Sequence, residues 1–189
     1  MKASDYPHML TSYHKGWDEL KARHPASLKV LFSLVIPLSL LPAAMILYAG
    51  GVNGMYYAAD APFSRWIAVA VIFFFAEIIT VSIMATVIRQ IAAMRDFSTD
   101  RDSAYLLAAL GAVPLWLSAL TLFVPSIAFN AFCGVLGLAA SFCLLYHGVP
   151  SLLGTQEDIE AQDVAYLVMS VGAAAWALLC ALVLLPLFM

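Results

Sequence analysis

Glu77 is the residue of this chain best placed to do chemistry, because it stands alone among apolar neighbours midway through the run from Trp66 to Ile88. A carboxylate buried in hydrocarbon costs roughly 2.5 to 3.5 kcal/mol on insertion scales, so such a side chain should face other protein and be protonated or paired. No Lys or Arg lies at similar depth. A neutral carboxyl is therefore expected, donating to a carbonyl freed by Pro114 or Pro37, or to Thr80 one turn away. Two roles fit: a proton or cation site in a transport path, or an interhelical hydrogen bond. A lone acid without a chain of aqueous partners favours the second.

Other chemistry-bearing residues are gathered outside the apolar runs. Glu157, Asp158, Glu160 and Asp163 follow one another with no basic residue between them, and His147 precedes them. Four acids could attract a basic partner or a divalent cation. Hard cations need several oxygens converging at fixed geometry, which this spacing does not guarantee, so a solvated linker is the expected reading. His8 and His14 do not share a helical face, and with His24 they form no convincing metal cluster. No metal or other cofactor is expected.

The elements that must position these groups are set by composition. The 189 residues are 63% hydrophobic and 11% charged, against roughly 45–50% and about 25% in soluble domains. A bilayer core about 30 Å thick needs about 20 apolar residues in a helix. Five runs qualify, at 30–50, 66–88, 104–124, 127–147 and 164–188. They show no alternation of period two, which excludes barrel strands, and lipid leaves only helices otherwise. The expected fold is an all-α, five-span bundle (30–189) behind a polar segment (1–29), with a tight hairpin turn at Pro125-Ser126.

Basic residues orient the bundle. Lys2, Lys15, Lys21, Arg23, Lys29, Arg89, Arg95 and Arg101 fall on one side, and Arg65 alone on the other. The positive-inside rule then places the N-terminus in the cytoplasm and the C-terminus outside. The first run lies too deep in the chain and is too long for a cleaved signal, so it is read as a retained span. Cys133, Cys143 and Cys180 all lie within spans and are expected to be packing residues; the first two sit ~15 Å apart on one helix.

Before the first span, Met9, Leu10, Tyr13, Trp17 and Leu20 recur at helical spacing, with Lys15, Asp18, Glu19 and Lys21 off that stripe. This predicts an amphipathic helix from His8 to Arg23 on the inner leaflet, its aromatics at headgroup level. Gly16 costs about 1 kcal/mol within it. Small residues at Cys133-Gly137-Ser141, Ala173-Ala177-Ala181 and Ala104-Ala108-Ala112 allow close helix approach, so spans three to five are expected to pack as a compact unit within one chain. Gly148 and Pro150 predict that the fourth span ends there.

The run Leu144 to Leu153, with Tyr146, Gly148 and Pro150 as Tyr-x-Gly-x-Pro, resembles the signature closing the fourth span in the Yip family of Ypt/Rab-interacting membrane proteins. Trp17 with His24-Pro25, Ile36-Pro37, Pro114 with Leu117-Ser118, and then Pro125 resemble its small bacterial inner-membrane, YohC-like branch. The resemblance implies a five-helix membrane domain and, in eukaryotic members, vesicle traffic and small-GTPase binding. The short cytoplasmic segment departs from the eukaryotic pattern, which argues against GTPase binding. Glu77 belongs to no motif of the family.

Three function classes follow. The first is a non-enzymatic inner-membrane organiser or adaptor, with membrane lipids, a membrane protein or a second copy as partner. The alternative is a small proton- or cation-linked transporter or channel using Glu77. An enzyme is not expected: paired span aspartates, a His-Glu-x-x-His helix, a Gly-x-Ser-x-Gly elbow and a phosphate loop are all missing from the sequence. Nor does a net charge of −3 suit nucleic acid.

Overall fold

A computed structural model describes residues 16–95, 97, 99–153 and 159–188. Among these the chain is helical with no strand, and five helices are long and apolar enough to cross a membrane. A short α1 (Trp17–Arg23) precedes α2 (Ser27–Tyr57), α3 (Phe63–Ala93), α4 (Arg101–Phe123), α5 (Ile127–Leu153) and α6 (Ile159–Phe188). Large apolar side chains face outward, Leu178 at 70% and Phe132 at 61% exposure; a surface of that kind needs lipid around it.

Prolines shape the helices locally. A π turn at Leu31–Val35 lies just ahead of Pro37 in α2, so the wider register falls where Pro37 supplies no N–H. The last turn of α4, Ala119–Phe123, tightens to 3-10 geometry. Val124 is extended, and the Ser126 hydroxyl accepts from the Phe129 N–H as α5 starts.

The core is centred on α4, whose residues 103–111 are all buried. Around it stand Trp17 of α1, Val35 of α2, Ile88 of α3, Leu144 and Val149 of α5, and Val164 and Val168 of α6. A smaller cluster at the opposite end joins Ile46, Ala49, Trp66, Val69, Ala70 and Leu187.

Four expectations are corrected. The N-terminal helix does not run through Gly16, whose φ of 90° puts the break there, and starts at Trp17. Trp17 is fully buried rather than at headgroup level; Met9, Leu10, Tyr13, His8 and His14 lie outside the described residues. The fourth span does not end at Gly148 or Pro150 but reaches Leu153. The apolar core holds Val149 and Leu152, and the Ser151 hydroxyl donates to the His147 carbonyl (2.9 Å).

The fourth correction concerns the compact unit. α4 and α5 do pack closely, and a Cβ at Gly137 would lie 3.1 Å from the Pro114 carbonyl oxygen. The last helix, however, rests mainly on α3 and α5. It is buried at Ala161, Val164, Ala165 and Val168, then not again until Leu187, and Ala177 of the alanine stripe is exposed. α6 is therefore fully buried only near its two ends and at most half-buried between them, where Ala175, Trp176, Leu179 and Val183 line a cavity.

Candidate functional site

The gap under α6 is a cavity of about 720 Å³ between the long helices. Its wall is apolar and aromatic, with Phe73, Trp116, Phe142 and Trp176, and carries no Lys, Arg or His. Glu77 is its one carboxyl, 6% exposed. Among the described residues Glu77 Oε2 has no hydrogen-bond partner. The polar group at the carboxyl is the indole of Trp116, rather than Thr80 or the Leu110 carbonyl left open by Pro114. No cation lies on the wall to pair with it.

Two more polar atoms on the same wall are buried and unpartnered among the described residues, Trp66 Nε1 and Asn130 Oδ1. Asn130 is held by its amide nitrogen, which donates to the Tyr57 hydroxyl (2.8 Å) and the Val124 carbonyl (3.2 Å). Tyr57 donates to the same carbonyl at 2.9 Å. Trp66 itself is seated on Gly50, where any Cβ would lie 2.3 Å from its ring.

At the other end of the bundle, Gly148 has the same relation to Trp17. A Cβ there would lie 2.6 Å from both the Trp17 ring and Leu107 Cδ1. Gly148 is thus the opening that lets α1 dock on α5. Tyr146 is half-buried with its ring against His147 (centroids 5.4 Å) and Tyr166 (6.2 Å), and His147 Nδ1 meets the Cys143 carbonyl at 2.7 Å. Pro150 lies inside the last turns of α5. Of the motif residues Gly148 meets the docked helix, with Tyr146 and Pro150 on the same stretch of α5; Glu77 lines the cavity, and Pro114 lies one residue before the lining residue Leu115.

Side-chain ties gather the connections at the Trp17 end. His24 Nε2 meets Asp100 Oδ2 at 3.2 Å, Ser27 donates its N–H (2.8 Å) and its hydroxyl to Asp102, and Arg95 pairs with Asp163 at 3.2 Å. Asp100 also caps α4, accepting from the Asp102 and Ser103 N–H groups (2.9 and 3.1 Å). Partial burial opposes its charge, but the Ser103 hydroxyl and amide, His24 and the Asp102 amide outweigh that and hold the carboxyl below its ordinary value. Of the acidic run, Asp163 is thus paired; Glu157, Asp158 and the side chain of Glu160 lie outside the described residues.

Sequence reasoning weighed His24 only beside His8 and His14 and missed Asp100 and Asp102, whose ligand-type atoms lie within 4.8 Å of one another and of His24. Their contacts are those of a clasp between α1 and α4. It also missed Trp66, Trp116 and Asn130, which carry no motif; a polar-tipped side chain within an apolar run was the available signal.

The arrangement defines a class: an all-helical, multi-pass membrane protein with an internal cavity. The Yip1 domain family model matches residues 8–185, so the chain belongs to that family, which is not known as an enzyme family. No curated protein and no solved structure matches the chain.

Proposed function

We propose that this protein is a non-enzymatic organiser of the bacterial inner membrane, with its N-terminus in the cytoplasm and its C-terminus on the far side. It works by holding a protein or lipid partner at its Trp17 end. The observation that carries this reading is the build of that end. α1 is pinned by Trp17 into the Gly148 gap, and His24–Asp100, Ser27–Asp102 and Arg95–Asp163 fasten the connections of four helices into one polar surface. Functional faces are built on rigidly supported elements, and this face is supported in that way. The eight basic residues named above on this side support the cytoplasmic placement. Transport through Glu77 gains no support from a wall on which it is the only carboxyl.

Photo-crosslinking in native membranes tests the reading. A photoreactive residue at exposed Lys21 or Ala22 is expected to give a discrete adduct with a protein, a lipid headgroup or a second copy, and lipid-facing Leu178 only acyl-chain adducts. Failure of both α1 positions to give any adduct above the Leu178 background would overturn the proposal. A reporter fused after Met189 is expected to be active only outside the cytoplasm.

A further inference from the structure

We propose that the cavity beneath α6 is a binding site for a lipid-soluble quinone-class molecule: an uncharged flat ring bearing carbonyl oxygens on a long aliphatic tail. The proposal is independent of the organiser reading, since it concerns the opposite half of the bundle and a different set of residues.

Four observations lead there. The volume, about 720 Å³, falls in the range of about 300 to 1,000 Å³ found for small-molecule sites, which are likewise apolar with a few placed polar groups. The polar group offered at mid-depth is a donor: protonated Glu77 presents an O–H, and its Oε2 is buried and unpartnered among the described residues. Such groups are costly to leave unmade and are completed by an acceptor oxygen. The wall is aromatic, with Trp116, Phe142 and Trp176 among its side chains, and offers ring faces to a flat guest. Finally, half-buried Ala175, Trp176, Leu179 and Val183 of α6 form one wall of the cavity, so only a single helix, exposed on its other face at Leu178, separates it from molecules dissolved in the bilayer.

Depth selects among acceptor-bearing lipids. Glu77 lies near the middle of α3 (Phe63–Ala93), roughly 20 Å along the helix from either end. Ester carbonyls of glycerolipids sit at the edge of the hydrocarbon, about 15 Å from the midplane, and would have to drag a headgroup inward to reach it. A charged headgroup would meet no counter-charge except a carboxyl that burial keeps neutral. A quinone ring carries its carbonyls on an apolar body and reaches this depth without that penalty. The inference is one of binding and involves no redox step.

The test uses the full-length protein in nanodiscs, with decylubiquinone as probe. Binding is read by quenching of tryptophan fluorescence and by the shift of the quinone carbonyl stretch. Saturable quenching and a downshifted carbonyl band are expected. Glu77→Gln, which keeps a donor, should bind within about threefold of the parent. Glu77→Leu should weaken binding about tenfold, the scale of one hydrogen bond to a buried partner, and lose the band shift. Because Glu77→Leu could disturb folding, Ala175→Phe, which fills the cavity from α6, is measured beside it and should abolish saturation. Circular dichroism confirms that each variant is helical. Quenching that stays linear in the parent protein, or that is unchanged by Ala175→Phe, would overturn the proposal. So would displacement of the quinone by dioleoylglycerol at equal concentration, which would make the cavity a general lipid gap.

Discussion

Two tryptophans sit on glycines at opposite ends of this bundle, and the two ends are built differently. Trp17 fills the space over Gly148 and ties a segment outside the spans to α5; Trp66 fills the space over Gly50 between consecutive helices. Around Trp17 the core is continuous from α1 to α6, and ion pairs and caps complete the surface. Around Trp66 the core is a small cluster beside the cavity, and the indole nitrogen is buried without a partner among the described residues. The same local device thus serves closure at one end and leaves room at the other. In lipid, where apolar surface gains little by leaving its surroundings, packing and hydrogen bonds decide which helices adhere. α6 is fully buried where Ala161, Val164, Ala165 and Val168 meet the core, and at most half-buried along the cavity from Gly172 to Val183.

The largest expected effect comes from removing the anchor of the closed end. Trp17→Ala should cost about 3 to 5 kcal/mol in SDS-driven unfolding, and more than Trp66→Ala, since one side of Trp66 already borders the cavity. Equal costs would break the contrast between the two ends. Gly148→Ala should cost about 1 to 3 kcal/mol by overpacking, because the added carbon meets both Trp17 and Leu107 at 2.6 Å. In a Trp17→Ala background half of that obstruction is gone, so the two changes should couple by at least about 0.5 kcal/mol. Strict additivity in the double-mutant cycle would mean that the ring does not occupy the Gly148 gap.

Glycines of the open half should behave the opposite way. At Gly172 the nearest atom to an added Cβ is Met84 Cε at 3.9 Å, and at Gly134 it is Trp176 Cζ2 at 3.6 Å, ordinary contacts in both cases. Replacing either by Ala then removes only the backbone-entropy cost of a helical glycine. A gain of about 0.5 to 1 kcal/mol is expected, read in the same unfolding assay. A loss of more than 1 kcal/mol at either position would show that α6 closes onto the bundle in the membrane.

How much of this was legible in the sequence depends on the range of the interaction. The five helices follow from runs of apolar residues, a local property that lipid enforces, and the resemblance at Tyr146, Gly148 and Pro150 pointed to the family. Glu77 was legible because a carboxyl at mid-span is conspicuous. What it faces was not, since Trp116 approaches from another helix and nothing in the spacing reports that pairing. Trp17 misled for the same reason. An aromatic on an amphipathic stripe looks interfacial until the gap at Gly148, far along the chain, is known to receive it. The alanine stripe of α6 misled in the other direction: small residues permit close approach but do not compel it, and Ala177 remains exposed. Pro150 signalled a helix end because it removes a donor, yet burial of Val149 and Leu152 carries the helix three residues further.

The smallest effect expected is on the clasp of the closed end, and its sign can be worked out. Asp100 is held below its ordinary carboxylate value in the folded protein. Its contribution is therefore complete above the ordinary value, about 3.9, and is lost as pH falls through the lower, folded value. Both Asp100 and His24 are about half exposed, at 47% and 53%, so screening limits the pair to less than about 1 kcal/mol. Protection of the Asp102 and Ser103 amides against hydrogen exchange, corrected for intrinsic rates, should thus fall below about pH 4. Asp100→Asn keeps a capping oxygen but cannot titrate, so its protection should lack the acid step. An acid step of the same size in that variant would assign the titration to another group and leave the cap, rather than the charge, as what Asp100 contributes to holding α1 on the bundle.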